Sequence, residues 1–424
     1  MSYRSYSRAR GYRSSNYNET RTSSALLLPP DRDILEGLGS SPLQELQRPE
    51  ASGYKDIKLK DFQYIGSYNW TNSNAPTIIV PGSPPEWRDR TPPFSVPRDS
   101  GPRFVDQNGY RMPQLPLLPL FRAVDVIAEE EATDTFDWST VDFVTDRNSL
   151  RKLLRWIQNN DGSTKEFRID TQLAGKRTVL LNRWEKRTRE NADLSIFTYG
   201  ISFERENTTP APGCEGSSGH HRVVQYDFDG LKLVVRFEVD ACIAAPRATQ
   251  RQPKPSTSVD DLSNILSGMG VSGSAGANVA ADVTKDIATE LSVIRAGTEV
   301  PQSSLVEMTT RSKNWVHTFD WADAYPQLFL SQTSNHFLAA HARGRFESIT
   351  KRQVGSPEMK QIEASIQPAF RRLRQALHDI QELVKAHGQR GRLTLVCREG
   401  RLEIFERESQ ESCLPDSVME RFDI

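Results

Sequence analysis

Between Leu231 and Ile243 the chain reads LKLVVRFEVDACI, and this run constrains the fold more than any other. Val234, Val235, Phe237, Val239, Ala241, Cys242 and Ile243 surround its charged residues with apolar neighbours, the pattern of a strand buried on both faces. Such a strand belongs to the middle of a sheet covered by helices. Glu238 and Asp240 lie two apart, so alternation places both carboxylates on one face within reach of one divalent ion. Acids inside an apolar strand need partners or a metal.

The flanking sequence predicts an α/β (α+β) domain with a mixed central sheet. Leu150, Leu153, Leu154 and Ile157 recur at the spacing of one helical face, and Thr145 or Asp146 can cap that helix. Strands are expected at TVLLNRW, LSIFTYGISFE and HRVVQYDFDG, with Asp229-Gly230 as the hairpin turn into LKLVVRFEVDACIA. Another strand follows at Leu305 to Thr309. A helix is expected from about Pro368 to His387, with Phe370, Leu373, Leu377, Ile380 and Val384 on its buried side, before a hairpin turning at Glu399-Gly400.

Residues 1–50 are expected to form a disordered Arg/Ser/Tyr-rich tail, because MSYRSYSRARGYRSSNYNETRTSS carries almost no aliphatic side chain to offset its ordering entropy. An arginine-aromatic arm that touches RNA is the functional alternative. The remainder, 51–424, is expected to be one domain with its core at about 142–345. Proline punctuates 29–119, which reads as an extended wrapping segment with a few short strands. From 246 to 304 the Pro/Ser/Gly/Thr/Ala composition predicts a mobile low-complexity insertion with a short helix near Val283 to Ile294.

Glu307, in LVEMTT, extends the acidic set, and Glu204 at the end of YGISFE is a fourth candidate ligand. Hard carboxylate oxygens suit Mg²⁺ or Mn²⁺, the ions that assist phosphodiester hydrolysis. His220-His221 beside Cys214 reads as a loop or strand end rather than a soft-metal site. RRLRQ at 371–375 reads as the solvated face of a helix, and Arg343, Gly344 and Arg345 are candidates for lining an RNA path.

Taken in order, DFVTDRNSLRKLL, YGISFE, RFEVDA, LVEMTT and AYPQLFLSQ resemble the successive motifs of the decapping exoribonuclease (DXO) family, whose fold is a PD-(D/E)XK-type nuclease core. The resemblance spans about half the chain. It implies that Arg147 contacts RNA phosphates, that Glu204, Glu238, Asp240 and Glu307 hold the metal ions, and that Gln327 touches the scissile region. It implies removal of incomplete or non-canonical 5′ caps, 5′ triphosphate or NAD from RNA, sometimes followed by 5′-to-3′ degradation. Two residues depart from the pattern. Asn148 stands where the family has glycine, and Thr309 replaces the E-x-K lysine that orients the attacking water. Arg311, on the same strand face, is the expected partial substitute, with Lys313 less well placed. The alternative is a catalytically impaired RNA-binding or scaffold homologue, with a 5′-to-3′ exoribonuclease as its candidate partner.

The charges are 54 Lys plus Arg against 55 Asp plus Glu, so no global field attracts nucleic acid and any RNA-binding surface must be local. Four cysteines without C-x-x-C spacing argue against structural zinc and for a reducing compartment. No apolar run approaches the ~20 residues that cross a bilayer, and the N-terminus lacks a signal-peptide pattern. No membrane association is expected, and a nuclear or cytoplasmic location is.

Overall fold

The computed structural model describes residues 28–50, 53–159, 164–193, 195–244, 283–285 and 290–423. Two mixed sheets dominate it, one of 12 strands and one of 7. The strand Lys232–Val239 lies inside the larger sheet, parallel to Phe143–Asp146 and antiparallel to Ser217–Phe228. At Asp240 the chain leaves that sheet. It enters the second as Ala241–Cys242, which pairs with Leu305–Ser312. The apolar alternation of LKLVVRFEVDACI therefore feeds two cores in succession, and Asp240 stands at the divergence.

The helix Arg147–Gln158 follows directly from Phe143–Asp146 and presses Leu150, Leu153, Leu154 and Ile157 against Val235 and Phe237. All four are almost wholly buried, and each such side chain stabilises by about 1.5–3 kcal/mol. Asp146 does not cap this helix with its side chain. Its carboxylate instead receives both arms of the buried Arg236 guanidinium at 2.6 and 2.9 Å, which removes the need to leave that cation unpaired.

Several expectations are overturned. YGISFE does not extend a strand: Gly200–Asn207 is a helix. Asp99, far away in sequence, accepts from the Ser202 N–H at 2.8 Å and satisfies a donor of its first turn. No helix forms among the described residues near Val283 to Ile294. Val283–Lys285 and Ser292–Ala296 are strands, the latter parallel to the buried Thr77–Pro81, where the β-branched Val293 and Ile294 fit a pleated surface. The expected insertion 246–304 thus ends in packed structure from 290 onward, while 245–282 and 286–289 lie outside the described residues.

The proline-punctuated segment supplies more than wrapping, because Leu59–Thr71 is a 13-residue strand of the large sheet. Folded structure also begins ahead of residue 50. Gln44–Leu46 pairs with Arg401–Glu406, and Ile34 and Leu38 pack on Trp184, Val396 and Phe405. Residues 1–27 lie outside the described ones. The C-terminal helix runs Pro357–His387 through Pro368, whose missing N–H is outweighed by burial of Met359, Ile366 and Phe370 on either side. No helix of the described residues is long and apolar enough to cross a membrane.

Candidate functional site

Where the two sheets part, four carboxylates come from three elements. Glu238 is the penultimate residue of the Lys232–Val239 strand and Asp240 directly follows that strand; Glu307 lies in Leu305–Ser312 and Glu204 on the helix Gly200–Asn207. Asp240 is fixed by the Met308 N–H, which donates to its Oδ2 at 2.7 Å. Glu307 receives the Arg147 Nη1 at 3.2 Å and the Gln327 amide. Arg147 is itself held by Ser331 Oγ at 3.3 Å and lies 5.5 Å from the centre of the Phe237 ring. Glu238 rests beside Gly219, where an added Cβ would come within 3.2 Å of its Oε1 and 2.7 Å of Gln107 Oε1, so a larger residue would crowd the acid.

The electrostatics show that these acids share one space. Burial, then repulsion from Glu238 and Glu307, pushes Glu204 up to about 8. Asp240 is raised well above the carboxylate range by burial and by Glu307 and Glu204, and the Met308 hydrogen bond only partly opposes this. The Glu238 carboxylate is reached by solvent but ringed by protein, and that crowding raises its pKa against the pull of Arg183 and Arg147. Repulsion of this kind is relieved by a cation.

Among the described residues no group of three or more His, Cys, Asp or Glu side chains is disposed to hold a metal ion as the side chains stand. Glu307 is turned to Arg147 and Gln327. The donor set still fits a hard divalent cation: it is all carboxylate oxygen, it is crowded with like charge, and of its members Glu307 alone has a direct counter-cation.

Thr309 brings no charge. Its hydroxyl lies 3.1 Å from His336 Nε2. Burial pushes that imidazole down to about 4, with Arg352 adding to the effect, so it is neutral near pH 7 and does not replace the lysine's charge. Among the described residues neither expected substitute pairs with any of the four acids. Arg311 is exposed with its guanidinium 5.6 Å from the Phe319 ring, and Lys313 pairs with Glu347 at 3.3 Å.

Sequence reading missed His336, Asp99 and Arg183. His336 meets Thr309 only through the parallel register that sets Glu307 opposite it, and no local pattern announces that. Arg183 lines a cleft of about 900 Å³ with Asp106, and both act on Glu238. The two adjacent histidines fall inside the strand Ser217–Phe228. His221 stacks on Tyr68 with ring centres 5.1 Å apart, and His220 Nδ1 is 2.7 Å from Asn69 Oδ1. Arg343 and Arg345 are exposed at the turn between Asn335–Ala342 and Arg345–Gln353.

The fold is that of Rai1 structures. S. pombe Rai1 in complex with 3′-FADP is 13% identical with a TM-score of 0.53, covering 86% of this chain and 99% of that one. Scheffersomyces stipitis Rai1 in complex with (3′-NADP)⁺ and calcium ion is 11% identical with a TM-score of 0.54, covering 90% and 99%. No curated protein matches the sequence. The family described as "Domain of unknown function (DUF8563)" matches residues 55–422, and the chain belongs to it.

Proposed function

We propose that the chain is a metal-dependent hydrolase of RNA 5′ ends, of the decapping exoribonuclease type. The observation that carries this reading is the convergence of Glu204, Glu238, Asp240 and Glu307 at the divergence of the two sheets, with Glu204 and Asp240 raised by burial and by repulsion from their neighbours. These residues would hold Mg²⁺ or Mn²⁺. A bound divalent cation neutralises phosphate oxygens and lowers the pKa of water. Arg147, which pairs with Glu307, would receive a phosphate when that acid serves as a metal ligand. Gln327, on the same carboxylate, is then free to orient the reacting group.

Thr309 favours a second reading. A site with all four acids but without the lysine suits an impaired homologue that binds 5′-phosphorylated RNA beside a 5′-to-3′ exoribonuclease. Incubating the protein with 5′-triphosphate, NAD-capped and 5′-monophosphate RNAs, with and without Mn²⁺, separates the two. Mn²⁺-dependent release of 5′ products that Glu238→Gln abolishes supports the hydrolase. Binding without cleavage of any of the three supports the scaffold.

A further inference from the structure

Pairing of Leu305–Ser312 with Asn335–Ala342 sets His336 opposite Glu307, and the two-residue strand repeat puts Thr309 on the same face as that acid. The imidazole is 1% exposed, with ring centres 5.1 Å from Trp321 and 5.6 Å from Phe319. Its Nε2 meets Thr309 Oγ1 at 3.1 Å, while Nδ1 has no hydrogen-bond partner among the described residues.

These facts select a tautomer. With the proton on Nδ1, a buried N–H would lack an acceptor, the rarer and more expensive omission; with it on Nε2, only a lone pair is left over. Nε2–H therefore donates to Thr309 Oγ1. The half-buried threonine hydroxyl then keeps its own hydrogen free to donate on the strand face that carries Glu307.

Resting on the hydrolase reading above, we propose that Thr309, aimed by His336, offers a hydroxyl donor to the substrate's phosphate oxygen or the attacking water, at the motif position of the lysine. His336 is the positioning residue. A neutral, pre-oriented donor stabilises developing negative charge without a counter-ion, and losing one such donor typically lowers kcat by ~10²-fold.

Two measurements on the full chain test this. A long-range ¹H–¹⁵N correlation of histidine-labelled protein at pH 7 is expected to find His336 protonated on Nε2. In Mn²⁺-dependent hydrolysis of 5′-triphosphate RNA, Thr309→Val is expected to lower kcat by ~10²-fold with KM little moved, and Thr309→Ser to recover most of the loss. His336→Phe is expected to match Thr309→Val, and His336→Gln, whose amide can donate to Oγ1, to rescue it. An Nδ1–H tautomer, or cleavage by Thr309→Val at the wild-type rate, overturns the proposal and leaves the hydrolase reading standing. A wild type that cleaves none of the RNAs brings down both.

Discussion

Replacing Glu204 by Gln removes an acid whose pKa rises from 4.5 to about 8 on folding. The unfolded chain releases this proton near 4.5 and the folded one near 8, so the folded state binds more protons between those values. Stability therefore falls as pH rises through that window and levels off above it. Each pH unit between the two values is worth about 1.4 kcal/mol, so the ionised acid destabilises the metal-free protein by about 3–5 kcal/mol at pH 8.5–9. Glu204→Gln should restore that amount at pH 8.5–9 and little at pH 4.5. Urea unfolding in EDTA, followed by tryptophan fluorescence across this range, reads the difference directly. Mn²⁺ at 100 times Kd should narrow that gap, because binding adds about 2.7 kcal/mol to the wild type. An advantage of Glu204→Gln that does not grow with pH would refute the picture of four mutually repelling carboxylates.

Arg147→Gln unties Glu307, so apparent Mn²⁺ affinity should rise while affinity for 5′-phosphorylated RNA falls; fluorescence titrations that move in the same direction would contradict the assignment. Arg236→Met leaves the Asp146 carboxylate buried and unpaired and should lower stability by about 3–5 kcal/mol in chemical denaturation. Thr309→Lys introduces a cation at the motif position and should raise turnover by ~10-fold or more with little change in RNA affinity; unchanged turnover would show that a cation at 309 does not limit the reaction.

The parts of the fold carried by local periodicity were legible. Leu150, Leu153, Leu154 and Ile157 mark their helix, and Asp229-Gly230 and Glu399-Gly400 turn their hairpins with positive φ values of 51°, 89°, 50° and 75°. Glu238 and Asp240 could be singled out because acids are expensive in an apolar strand. What distant partners decide was not legible. Ile201 and Phe203 alternate as a strand would, yet Asp99 from another part of the chain supports a helix there. Ser292–Ala296 adopts a strand because Thr77–Pro81 presents an edge to it. The change of sheet at Asp240 and the meeting of Thr309 with His336 depend on register between strands, which a single sequence does not encode locally.

If Glu204, Glu238, Asp240 and Glu307 form one divalent-cation site, the folded protein must exchange protons for metal. Isothermal titration of the full chain with Mn²⁺ at pH 7, in buffers of different ionisation enthalpy, measures that exchange. Saturable binding with proton release is expected, since Glu204, with a pKa of about 8, must ionise to serve as a ligand. The Glu238→Gln, Asp240→Asn double variant is expected to lose that binding. Binding that is unchanged in the double variant, or absent from the wild type, would contradict a shared metal site.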